Sequence, residues 1–158
     1  MSDFFYVLDE EARLLFVDDD PILREFARVN LASASASVDV AQDGVEALQM
    51  LAARSYDLVL TDLEMPRMDG FQLLAAIRAD AALKHLPVVV ETGREDVEAI
   101  DRAFRAGATA FVTKPLNWRL LTYQLRFTLR SAKADRQLRA ASAQLIARLE
   151  GRSAKTAA

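Results

Sequence analysis

The sequence predicts an α/β fold: a doubly wound, five-stranded parallel sheet with a C-terminal helical extension. Three observations carry this. Runs of Val, Leu and Phe at residues 14–17, 58–61, 88–90 and 111–112 are continuous, as in parallel strands buried on both faces. Segments with the apolar spacing of helices separate them. Between residues 117 and 150 neither Gly nor Pro interrupts the chain, so one long helix, or two with a frayed joint, is expected there.

In order along the chain, residues 1–12 are acidic and without period, a loose arm or an extra turn before a domain that starts near Arg13. The first strand is 13–17. Pro21, preorganised for a first helical position, opens a helix over 21–29 on which Ile22, Phe26 and Val29 share a face. The Ala/Ser run at 33–37 reads as a loop and 38–41 as a short strand. Asp43 is the N-cap of a second helix with Val45, Leu48 and Leu51 as its buried stripe. The third strand is 58–61; Pro66 and Gly70 keep the next helix, 71–79, from starting early. A fourth strand at 87–91, a helix at about 95–106 stopped by a left-handed Gly107, and a fifth strand at 110–112 follow. Leu121, Leu125 and Leu129 form the stripe that closes the last face of the sheet. The expected division is an arm at 1–12, a domain at 13–130 and a basic helical tail at 131–158.

Composition narrows the chemistry. The chain has no cysteine and one histidine, His85, which excludes a disulfide framework, a thiolate nucleophile and a Cys- or His-built metal site. Any metal must be held by oxygens. No apolar stretch approaches the roughly 18–20 residues of a membrane span, and the first residues lack a basic signal region, so a cytoplasmic location is expected. The net charge of −3 hides an asymmetry: residues 1–115 carry 11 Lys/Arg against 21 Asp/Glu, and residues 116–158 carry 9 against 2. A basic helix face is most often simply solvated.

Each strand run ends in chemistry: the first in Asp18-Asp19, the third in Asp62, the fourth in Glu91-Thr92, the fifth in Thr113-Lys114-Pro115. In open α/β sheets the ligand sits outside the carboxyl ends of the strands, so these groups converge on one edge. Two bare carboxylates about 4 Å apart repel by about 4 kcal/mol at an effective dielectric near 20, which calls for a cation. Mg2+ accepts one or two carboxylates plus phosphate oxygens and water. Asp62, central in the sheet, is the best nucleophile for an aspartyl phosphate; Lys114 would neutralise phosphoryl oxygens and Thr92 donate to them.

The segments 17–21, 57–70, 87–93 and 107–115, with Asp18-Asp19, Thr61-Asp62, Met65-Pro66, Asp69-Gly70 and Lys114-Pro115 in place, closely resemble the receiver domain of two-component response regulators over about residues 13–130. The resemblance implies the flavodoxin-like strand order 2-1-3-4-5. It also implies Asp62 as phosphoacceptor, Asp19 as direct metal ligand, Asp18 as the acid holding metal through water, and Glu64 as the residue whose carbonyl completes the metal shell. Thr92 and Phe111 match the switch pair, Lys114 the phosphate-binding lysine, and the Lys114–Pro115 bond one that is cis in the family. Glu64 and Arg94 fall where residues flank the acyl phosphate and tune its lifetime. Glu91 departs from the pattern, standing where an apolar residue is usual; it must be exposed, paired or protonated.

The function so implied is Mg2+-dependent phosphoryl transfer to Asp62 from a histidine kinase or histidine phosphotransfer protein, switching contacts with a downstream protein. The chain is then a signalling domain, not an enzyme acting on other substrates. The tail serves as a homodimerisation helix or docking segment, or the chain is the receiver part of a larger regulator whose output was lost. Binding of nucleic acid or an anionic surface through Arg126, Arg130, Lys133, Arg136 and Arg139 is the rival reading; the acidic body opposes it. A magnesium phosphohydrolase is a third, disfavoured by the lack of a cap insertion.

Overall fold

The computed structural model describes residues 11–93 and 96–157. Along the chain run β1 (Ala12–Val17), α1 (Pro21–Leu31), β2 (Ala36–Ala41), α2 (Gly44–Ala53), β3 (Leu58–Asp62), α3 (Gly70–Ala79), β4 (Val88–Gly93), α4 (Val97–Arg105), β5 (Ala110–Lys114) and α5 (Trp118–Ala157). The strands form one all-parallel sheet in the order β2-β1-β3-β4-β5. Residues 1–10 of the expected arm, Arg94, and Glu95 at the expected start of the fourth helix lie outside the described residues; Ala12 already belongs to β1.

Two apolar layers explain the uninterrupted strand sequences. Leu15, Val17, Val59, Val88 and Val90 face α2, α3 and α4, burying Ala47, Leu51, Leu74, Ile77 and Ala103. Alternate residues Leu14, Phe16, Leu60, Val89 and Val112 face α1 and α5, burying Ala27, Leu31, Leu121, Leu125 and Leu129. A strand covered on both sides has no polar side to show, so its period-2 signal vanishes.

The elements differ from expectation at their ends. β2 begins at Ala36, inside the Ala/Ser run expected as loop, because Ala36 pairs with Ala12. β3, β4 and β5 continue to Asp62, Gly93 and Lys114, past the apolar runs, since pairing with a neighbouring strand satisfies their backbone groups whatever the side chain. On α1 the residues Ile22, Phe26 and Val29 do share a face, but it is the solvent face, 63%, 50% and 71% exposed; Ala27 and Leu31 pack inward instead. On α2, Val45 and Leu48 are only half-buried, while Gly44, Ala47 and Leu51 face inward. α5 is a single helix of 40 residues, about 60 Å long at 1.5 Å per residue, and passes through Gly151 without a break. Beyond Leu129 its large apolar residues, Leu138, Leu145, Ile146 and Leu149, are exposed. No helix among the described residues is long and apolar enough to cross a membrane.

Candidate functional site

The C-terminal ends of β3, β4 and β5 open onto one cleft of about 480 Å³, lined by Asp62, Glu64, Glu91, Thr92, Arg102 and Lys114 among others. Register sets its core. Leu60 pairs with Val89, and two residues on Asp62 pairs with Glu91, which pairs with Val112. Side chains alternate along a strand, so Asp62 and Glu91 stand side by side on the face that carries Leu60 and Val89. Asp18 follows directly on β1, whose Val17 pairs with Thr61.

Carboxylate oxygens of Asp18, Asp19 and Asp62 lie within 4.8 Å of one another. The turn after β1 makes this possible: the Asp18 amide donates to Ala41 O at 3.1 Å, the Arg24 guanidinium donates to Asp18 O at 2.7 Å, and the Asp20 amide donates to Asp18 Oδ1 at 2.8 Å. Asp20 in turn caps α1 by accepting from the Ile22 amide. Asp19 is exposed, whereas Asp18 is 1% exposed and its Oδ2 has no hydrogen-bond partner. Burial raises the Asp18 pKa to about 6; the Asp20 amide and Lys114 oppose this, and the charges of Asp62 and Asp19 add to it. A buried, unpartnered carboxylate oxygen beside two further carboxylates suits a hard, oxygen-seeking divalent cation such as Mg2+.

Opposite the acids, Lys114 Nζ donates to Asp62 Oδ2 at 2.8 Å. The lysine pKa is raised: burial works against the ammonium, but the hydrogen bond to Asp62 and the charges of Asp62, Asp18 and Glu91 outweigh it. The Lys114–Pro115 peptide is cis. The Glu64 amide donates to Asp62 Oδ1 at 3.3 Å, and its own side chain is exposed at the mouth. The loop carrying it is pinned under Asp62. Gly70 N donates to Leu63 O at 2.9 Å, and a Cβ on Gly70 would fall 2.2 Å from Asp62 O, so only glycine fits. Asp69 caps α3 in a reciprocal box with Gln72, and Arg67, at φ +64°, reaches across to Asp43 at 2.6 Å.

Thr92 is buried, and its hydroxyl donates to Gly93 O at 3.3 Å, not to Asp62. Phe111 is 48% exposed and lines a separate cavity of about 370 Å³ with Val90, Ile100, Ala103 and Phe104. The expected switch aromatic thus stands outward next to unfilled space. Arg94, expected opposite Glu64, lies outside the described residues.

Glu91 takes the least comfortable of the three options left open by the sequence. It is 0% exposed, and neither carboxylate oxygen has a hydrogen-bond partner. Burial above all, then the charges of Asp18 and Asp62 against that of Lys114, pushes its pKa well above the ordinary 4.5. Sequence reasoning missed two supports. Arg78 donates to Leu86 O at 2.7 Å and Gly107 O at 2.8 Å, tying α3 to the turns that enter β4 and β5. Arg102 lies 3.9 Å over the Phe71 ring at the cleft wall. Neither has a local sequence signature, since each partner is distant along the chain.

The site is one of clustered acids at the carboxyl edge of a doubly wound parallel sheet, with a lysine on the central one. A family model described as "Response regulator receiver domain" matches residues 14–126. The chain belongs to that family. Response regulator MprA of Mycobacterium sp. (strain KMS) is 37% identical over 123 residues, covering 78% of this chain and 53% of the relative. This chain therefore spans about half the length of the curated relatives it matches. Among solved structures, the chemotaxis protein CheY4 of Vibrio cholerae is 31% identical, with 74% of this chain and 98% of that one covered and a TM-score of 0.70. NtrX of Brucella abortus is 29% identical with a TM-score of 0.75, covering 81% of this chain and 29% of its own.

Proposed function

We propose that the chain is the phosphoacceptor of a two-component relay, with Asp62 taking a phosphoryl group from the phosphohistidine of a kinase or phosphotransfer protein. One observation carries the reading: three carboxylates gathered within 4.8 Å, the central one of them held by Lys114. A carboxylate oxygen of Asp62 attacks phosphorus, the P–N bond breaks and the departing imidazole nitrogen takes up a proton; water later attacks phosphorus, breaking the P–O bond and releasing inorganic phosphate. Lys114 turns from the carboxylate to the phosphoryl oxygens as a point charge. Asp18, Asp19, Asp62 and the Glu64 carbonyl would hold Mg2+, which supplies further neutralisation of the phosphoryl oxygens when bound. The Thr92 hydroxyl moves to the new dianion, and Phe111 follows it inward toward the space beside Val90, shifting the population of the surface made by α4, β5 and α5.

Residues 13–130 form the phosphoacceptor unit on this reading. Glu64 and Arg94 at its mouth set the acyl-phosphate lifetime, so Glu64→Ala should change the dephosphorylation rate, and an unchanged rate would count against that role. The readers of the switched surface are a downstream protein and, through the exposed Leu138, Leu145, Ile146 and Leu149 of the 131–158 tail, a second copy of the chain. The chain acts in the cytoplasm, where such donors reside. The test is incubation with Mg2+ and radiolabelled acetyl phosphate. One label per chain is expected for the parent and none for Asp62→Asn; a stoichiometric label on Asp62→Asn would refute the assignment.

A further inference from the structure

Past Leu129, the last buried residue of α5, the helix runs free of the sheet, and one side of it is apolar in the middle and charged at both ends. Asp135, Leu138, Ser142, Leu145, Leu149 and Arg152 follow one another at alternating steps of three and four residues, the spacing of a two-stranded coiled-coil seam. All six are exposed, and the three leucines are 66%, 58% and 56% exposed in that order. The seam therefore has leucines at its centre, an acid at one end and a base at the other.

That charge order decides how a second copy can lie against it. In a parallel pair every seam residue meets its own counterpart, so Asp135 would face Asp135 and Arg152 would face Arg152, like charges at both ends. In an antiparallel pair centred between residues 143 and 144, Asp135 faces Arg152, Leu138 faces Leu149 and Ser142 faces Leu145, each layer occurring twice. Sliding this pairing by one heptad sets Asp135 against Leu145, or Arg152 against Ser142, and separates Leu138 from Leu149. Asp135 also pairs through Oδ2 with Arg139 of its own helix, but its side chain stays 60% exposed, which leaves Oδ1 open to a partner. Arg152 has no ion pair among the described residues.

We infer that the free part of α5 pairs with the same stretch of a second copy as an antiparallel two-stranded coil, with Asp135 and Arg152 clasping its ends. This rests on the reading above in which the tail joins two copies, and adds their direction and register. The pairing sets the Leu129 residues of the two copies about 43 Å apart along the coil at 1.5 Å per residue, so the receiver bodies sit at opposite ends. Each acidic cleft then stays open to its own phosphoryl donor.

The absence of native cysteine makes the test clean. Ala140 and Ala154 lie on the outer side of the helix, opposite the seam and two heptads apart, and both are exposed. Nitroxides on Ala140→Cys or Ala154→Cys of the full chain, read by pulsed dipolar spectroscopy, measure the distance between the two copies. Antiparallel pairing offsets the labels along the axis by about 10 Å at 140 and about 31 Å at 154, so the second distance should be clearly the longer. Equal distances at the two positions mean a parallel pair and overturn the proposal while leaving dimerisation through the tail intact. A monomeric mass in sedimentation equilibrium, with no dipolar signal, overturns both. Charge reversal gives an independent check: Asp135→Arg or Arg152→Asp alone should weaken the dimer about tenfold, and the two together on one chain should restore it. A double variant as weak as the single ones would overturn the pairing of Asp135 with Arg152; one label per chain at Asp62 in every variant shows that the receiver body is folded.

Discussion

Replacing Glu91 by leucine should stabilise the domain, although it removes a charged residue from the heart of the site. The carboxyl is wholly buried and neither oxygen is hydrogen-bonded. Leaving a buried polar group unsatisfied costs about 1–3 kcal/mol, and an apolar residue of similar volume removes that cost while joining the layer formed by Leu60, Val89 and Val112. A gain of about 2 kcal/mol is expected at neutral pH, or about 4–8 °C in Tm for a chain of this size. The pH dependence carries the electrostatic part. In the unfolded chain Glu91 titrates near 4.5 and in the fold well above it, so the folded state binds the proton more tightly. Its penalty is smallest below pH 4.5 and grows as pH rises toward the folded pKa. Urea unfolding of parent and Glu91→Leu at pH 4.5 and 7.5, without divalent ions, should therefore show a gap that widens at the higher pH. Glu91→Gln separates the two contributions: it keeps an unsatisfied polar group, so it should lose the pH-dependent share of the penalty and retain the rest. A leucine variant no more stable than the parent at pH 7.5 would mean that the carboxylate is partnered after all, and the reasoning would fail.

The same linkage applies to Asp18, whose folded pKa of about 6 lies above the ordinary 3.8: stability fully present below pH 3.8 is lost as pH rises to about 6, about 3 kcal/mol in all at 1.36 kcal/mol per unit. Proton and metal compete there, so Mg2+ affinity, read by calorimetry, should fall as pH drops through 6, and Asp18→Asn should flatten that dependence. Gly70→Ala forces a Cβ to within 2.2 Å of Asp62 O and should destabilise the domain by about 1–3 kcal/mol in urea unfolding, with slower labelling of Asp62 by acetyl phosphate. Arg78→Ala strands the Leu86 and Gly107 carbonyls and should cost about 2 kcal/mol or more by the same unfolding measurement, while leaving the label stoichiometry at one per chain.

What was legible in the sequence follows the physics of each feature. Strand identity was plain because a doubly covered parallel strand is apolar on both faces, and the cap at Asp43 was plain because it acts within three residues. The reciprocal box at Asp69 emerged only with the structure. Strand ends were not legible, since Asp62, Gly93 and Lys114 continue the ladder by backbone pairing that side-chain chemistry does not advertise. The orientation of α1 was hidden because Ile22, Phe26 and Val29 form an apolar stripe that points to solvent while Ala27 and Leu31 point inward. Phe26 finds part of a reason in an edge-on contact with Trp118 at 6.4 Å, Trp118 also packing on Phe16.

Glu91 shows where such reasoning stops and why. From the sequence its three options stayed open, because exposure, pairing and protonation depend on which strands flank it. The sheet order puts Asp62 on one side and Val112 on the other, leaving the carboxyl no hydrogen-bond donor on either flank. Lys114, the nearest cation, is already engaged by Asp62. A site that gathers these carboxylates, with Lys114 engaged by one of them, is held together by the hydrophobic layers on both faces of the sheet. The repulsion among the carboxylates is relieved most directly by whatever next brings positive charge, or removes negative charge, at Asp62.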